Sequence, residues 1–167
     1  PDDRSMGYER GTSVSKAWEE ATTDAAFETA DYVVEHLNRL LDVKPDAPER
    51  GEKAREFARK FVERAFRRPL TDEQKTAYVD RRFEGGADVD AAVKKVVLGA
   101  LISPSFLYLE TGGSFDDHDV ASRIAFALWD SSPDEGLLEA ASKGELKTRE
   151  QVAKQAQRLV LALLGRF

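Results

Sequence analysis

The sequence predicts an all-α protein, and three observations carry that prediction. Apolar residues recur at i, i+3, i+4 and i+7 in segment after segment, the spacing of a helix that buries one face. No stretch of useful length alternates apolar and polar residues as a half-buried strand would. Helix starts are spelled out chemically: Ser103-Pro104 and Ser132-Pro133 each set a hydroxyl cap before a proline at the first helical position. There the missing N–H would lack an intrahelical partner anyway. We expect an irregular bundle of seven or eight helices around a central helix at about 119–130.

Residues 1–12 are polar and turn-rich and should be irregular. Ser13 can cap a helix running to about Leu41, with a first stripe of Val14, Trp18, Ala21 and Ala25 and a second of Ala26, Ala30, Val33, Leu37 and Leu40. The stripe steps sideways at Thr22-Thr23-Asp24, residues that compete with helix by bonding nearby backbone, so a bend is expected there. The segment 42–51, with Pro45 and Pro48, is the clearest connector. A helix over 52–66 turns Ala54, Phe57, Ala58, Phe61, Val62 and Ala65 inward and sets Glu56–Lys60, Arg59–Glu63 and Glu63–Arg67 along its outer face. Pro69 ends it, Thr71 caps a helix to about Phe83, and Gly85-Gly86 breaks that one.

A helix over 89–102 buries Val89, Ala92, Val93, Val96, Val97, Ala100 and Leu101. In the central helix, Ala121, Ile124, Ala125 and Leu128 form the stripe, and Phe126 and Trp129 widen it. Asp119, Arg123 and Asp130 occupy the remaining side, with Asp119–Arg123 an i, i+4 pair in the favourable orientation. Lys143-Gly144 closes the helix begun at Pro133, and Thr148 caps the last one, whose stripe is Val152, Ala156, Leu159, Val160 and Leu163. Residues 159–164 are apolar on every face. A further part of the polypeptide or a partner chain is expected to cover them, and both ends read as cuts through a longer polypeptide.

Composition narrows the function classes. With 167 residues, 41% hydrophobic and 34% charged, the chain can form one domain burying roughly 70% of its unfolded surface. A net charge of -6 argues against a nucleic-acid partner, which leaves a basic footprint. No apolar run reaches the length of about 20 residues that a membrane span needs. Without cysteine, this chain holds no disulfide, no Cys-ligated zinc and no C-x-x-C-H haem attachment.

Few residues carry candidate chemistry. Arg67-Arg68 at a helix end suits the negative end of the helix dipole, and alternatively an anion clamp. Asp116, Asp117, His118 and Asp119 are the densest set of metal-ligand types, but acids just before a helix are also caps. Glu110 with Asp134 and Glu135 could form the facing carboxylates of glycosidase chemistry; we expect them at helix ends or paired with Arg123 and Arg68. His36 has no orienting partner in sequence for general-base work, and Trp18 and Trp129 sit on apolar stripes, where core packing outweighs ligand stacking. We therefore expect no catalytic, cofactor or metal residues here and assign Arg67, Arg68, Asp119, Arg123, Asp130 and Asp134 to structural ion pairs.

FARKFVERAFRRPLTDEQ (57–74) and VVLGALISPSFLYLE (96–110) resemble the module called domain of unknown function 1595 and its junction with the next. ASRIAFALWDSSPDEGLLEAASKGEL (121–146) resembles the start of domain of unknown function 1592, and PDDRSMGYERGTSVS looks like the tail of a preceding module. The resemblance implies the divisions 1–48, 49–112 and 113–167 within one compact unit. It also implies a large, exported or periplasmic, planctomycete-type protein that carries a cytochrome c-like module, and hence any haem, elsewhere in the polypeptide. Leu109 stands where the family commonly has arginine. The reading that follows is a non-catalytic helical scaffold or interaction module in a redox context; the alternative is part of an enzyme acting on extracellular polysaccharide.

Overall fold

Ser15 opens the first helix, its hydroxyl accepting the Trp18 N–H at 3.2 Å. The computed structural model describes residues 15–109 and 115–164, and among these every regular element is helical. Helix α1 (Lys16–Glu35) runs straight through the threonines, where Thr22 Oγ1 donates to the Trp18 and Glu19 carbonyls and the helix continues around it. The expected bend lies instead at His36, whose backbone leaves helical values and separates α1 from α2 (Leu37–Leu41). The first half of the α1 stripe is not buried either: Trp18 is 39% exposed, beside Tyr108 at a ring separation of 6.2 Å, and the core begins at Ala26. Among the described residues no helix covers the Trp18 indole.

Asp42 turns the chain in a left-handed conformation, and α3 (Arg50–Phe66) begins just beyond Pro48. The connector does not divide the core. Ala30, Val33 and Leu37 from α1 and α2 pack with Ala54 of α3 and with Val93 and Val97 of α5 (Val89–Leu101) in one cluster. Arg50 ties the same three parts together, donating to Asn38 at 2.8 Å and Asp90 at 2.6 Å. Asp31 of α1 and Lys94 of α5 add an ion pair at the surface.

The segment after Thr71 is expected to be one helix to Phe83, but it is wound in three ways. A capping box with Gln74 starts α4 (Asp72–Gln74), a π turn follows at Lys75–Val79, and a 3-10 turn at Asp80–Arg82. The wider π turn re-phases the side chains, as such bulges do. Val79 enters the core with Val62 and Val96, while Tyr78 meets Phe66 edge-on and hydrogen-bonds Ser103 at 3.0 Å. Gly85 and Gly86 both have positive φ, which ends the segment without Cβ strain.

Helix α5 has neighbours on more sides than the helix singled out as central. It buries Ala92, Val93, Val96, Val97 and Ala100 and lies between α1 and α3. Ser103 and Pro104 then start the short α6 (Pro104–Leu107) as the sequence indicates. Helix α7 (Asp117–Trp129) organises only the C-terminal part. Ala121, Ser122 and Ala125 are buried, Ile124, Leu128 and Trp129 are half-buried, and α8 (Glu135–Ser142) and α9 (Arg149–Leu164) complete a separate cluster around Leu137 and Leu159. α8 starts two residues later than Pro133, because Asp134 rather than Ser132 caps it, accepting Leu137 N–H at 2.9 Å. Leu161 and Leu164 at the end of α9 are 69% and 64% exposed.

Candidate functional site

The polar chemistry of the described chain converges where α3 ends and α7 begins. Helix α3 closes in a Schellman motif: Arg67 takes a left-handed conformation, its N–H reaches Arg64 O, and Arg68 N–H reaches Glu63 O, both at 3.2 Å. Glycine is the ordinary residue there, and arginine costs about 1 kcal/mol of backbone strain. Its side chain explains the choice. It is 5% exposed and donates to the carbonyls of Ala65 (3.1 Å), Ser105 (2.8 Å), Phe106 (3.2 Å) and Tyr108 (3.0 Å), binding α6 and the strand of chain after it to the end of α3. The same guanidinium lies 5.9 Å from the centre of the Phe126 ring on α7. Burial lowers its pKa from the ordinary arginine value, with the Arg68 charge acting the same way and Asp119 opposing.

Arg68 points to the carboxylates that start α7. It donates to Asp116 Oδ2 at 3.0 Å and to Asp119 Oδ1 at 2.7 Å. Those carboxylates also form the capping box of α7: Asp116 Oδ1 accepts from His118 N at 2.9 Å and Asp119 N at 3.1 Å, and Asp119 Oδ2 accepts from Asp116 N at 2.9 Å. Burial opposes the charge of Asp116, but the Asp119 N–H, Arg68 and the His118 N–H together hold its carboxyl below the usual value. Asp117 accepts from Leu146 N at 3.1 Å, which pins the turn after α8. His118 Nε2 lies 3.3 Å from Ser142 Oγ, and burial lowers its pKa against the pull of Asp116. The oxygens a calcium site would need are thus engaged. Among the described residues no three His, Asp or Glu groups are placed to hold a metal.

The ion pairs differ from expectation in four places. Arg67 uses backbone carbonyls and no carboxylate, so the Glu63–Arg67 pair does not form; Glu56–Lys60 and Arg59–Glu63 do. Asp119 is committed to Arg68 and its cap rather than to Arg123, and Arg123 stacks over Phe115 at 4.8 Å. Asp130 is the left-handed residue that ends α7 and forms no ion pair among the described residues; a short polar side chain tolerates that conformation. Asp134 pairs with Arg158 of α9 instead of Arg123 or Arg68, at 2.6 and 2.8 Å. Arg158 escaped sequence reasoning because 24 residues separate the partners and no helical spacing links them.

Residues 53–110 match the family model described as Protein of unknown function (DUF1595), and residues 115–163 match that described as Protein of unknown function (DUF1592). The two matched segments follow one another along the chain. Arg67 and Arg68 lie in the DUF1595 module, whereas Asp116, Asp119 and Phe126 lie in the DUF1592 module, so the arginine pair is where one holds the other. No curated protein and no solved structure matches the chain.

The remaining candidates are dispersed. His36 ends α1, its Nδ1 2.9 Å from Tyr32 O and its ring stacked on Tyr32 at 4.2 Å. Trp129 Nε1 donates to Leu159 O at 3.0 Å. Glu110 lies outside the described residues. Hydrogen bonding from Arg158 lowers the pKa of Asp134, the opposite of what a general acid requires. A cavity of about 100 Å³ lies beside Arg67, Arg68 and Asp119, whose charged groups are engaged with backbone carbonyls and with one another. The geometry of this site is that of a joint.

Proposed function

We propose that the chain is a helical scaffold or interaction module of an exported, cytochrome c-associated protein. The observation that carries the scaffold part is the division of labour at Arg67-Arg68. The first guanidinium is spent on four carbonyls within one module, and the second on the two carboxylates that start the other. Chemistry with such residue types needs a group left over to meet a substrate, whereas a joint needs every group engaged.

The divisions 1–48, 49–112 and 113–167, the export to a periplasmic or extracellular space, and the haem in another part of the polypeptide rest on the sequence resemblance. The interaction part is supported by the apolar end of α9, where Val160, Leu161, Leu163 and Leu164 are exposed side chains suited to a covering segment or partner chain. Purification of the full-length polypeptide from its native host, followed by reduced-minus-oxidised spectroscopy, tests the reading. A c-type haem signal that co-purifies with these modules is the expected result. A full-length protein with no redox-active centre and no redox partner overturns it.

A further inference from the structure

A cleft of about 410 Å³ opens between α3 and α8, at the boundary of the two modules. Its walls carry opposite charge. Lys60 and Arg64 stand one helical turn apart on α3, with Glu63 between them engaged by Arg59, and Arg68 is engaged by Asp116 and Asp119. Glu135 and Glu139 stand one turn apart on α8, and Pro69 and Leu138 contribute apolar surface. Lys60 and Glu139 are each held by a neighbour on the same helix, Glu56 and Lys143. The side chains of Arg64 and Glu135 have no ion pair or hydrogen bond among the described residues. An unspent cation and an unspent anion therefore line one cleft without closing on each other.

We propose that this cleft binds an extended peptide segment of a partner protein, one that places an acidic side chain against Arg64, a basic one against Glu135, and an apolar one on Pro69 and Leu138. The volume falls in the range of ligand sites, which favour such boundaries. The charge arrangement selects the occupant. A polyanion meets the Glu135–Glu139 wall and a polycation meets the Lys60–Arg64 wall, so each is repelled by one side, while a segment bearing both signs satisfies both. The inference goes beyond the scaffold reading and holds with or without a redox context.

The test uses blocked peptides in which Asp and Lys are separated by one to three residues including Leu, titrated into the chain and followed by calorimetry at low salt. At least one mixed-charge peptide binds about tenfold more tightly than its all-acidic and all-basic counterparts. Arg64→Glu abolishes that binding, and Glu135→Lys transfers the preference to the all-acidic peptide. Circular dichroism melts check that both variants, which change exposed side chains, remain folded. Failure of every mixed-charge peptide to saturate the chain up to about 1 mM overturns the proposal. So does binding that survives both charge reversals. A concentration-dependent dimer weakened by either reversal would assign the cleft to a second copy and equally overturn it.

Discussion

Arg158 holds Asp134 through both terminal guanidinium nitrogens while its plane lies over Gly136, where an added Cβ would stand 3.4 Å from the guanidinium carbon. The pair joins the N-terminus of α8 to the middle of α9, and a third bond from Arg158 Nε to Gln155 at 2.9 Å fixes its approach. Asp134 also caps α8, so one carboxylate serves both a helix end and a helix–helix contact.

The pH dependence of that contact has a definite sign. The folded pKa of Asp134 lies below its ordinary 3.8, chiefly through the Arg158 hydrogen bonds. The stabilisation is therefore fully present above that ordinary value and is lost as pH falls through the folded one. With both side chains about a third exposed, solvent screening keeps the coupling near 1 kcal/mol. A double-mutant cycle of Asp134→Asn and Arg158→Gln, read by urea unfolding at pH 7 and again in acid, should show this coupling shrinking towards zero. A coupling unchanged in acid would show that charge is not its source.

Arg67 separates a backbone effect from a side-chain effect. Arg67→Ala loses the carbonyl bonds and keeps the left-handed strain, which should cost about 3 kcal/mol or more. Arg67→Gly loses the same bonds but relieves the strain and should be milder by about 1 kcal/mol. Urea titration of both variants measures the difference. Equal stabilities would argue that the left-handed turn is unstrained.

His118 predicts a second pH window. Its folded pKa lies below the ordinary 6.5, mainly through burial, so stability is full above that value and declines as pH falls towards the folded pKa. His118→Gln should flatten the stability profile across that interval. A variant as sensitive as the parent would place the titrating group elsewhere.

Calcium and zinc probe the four residues 116–119 directly. Since Asp116 and Asp119 are engaged by Arg68 and the α7 backbone, neither ion should raise the melting temperature at millimolar concentration. A saturable rise, lost in Asp119→Asn, would restore a metal-binding role.

The sequence by itself determined the all-α class, the caps at Ser103, Thr71 and Thr148, the breaks at Gly85-Gly86 and Gly144, and the buried face of α5. Each follows from residues within one or two turns, where spacing and local hydrogen bonding act before any packing exists. Tertiary structure alone decided which helix has the most neighbours, why α4 passes into a π turn, and where the arginines reach. Helical spacing cannot carry Arg67 to the carbonyls of α6, or Arg158 to Asp134, because those distances arise only when distant segments pack. The exposure of Trp18 has the same origin: its stripe is apolar in sequence, but among the described residues no helix buries the ring.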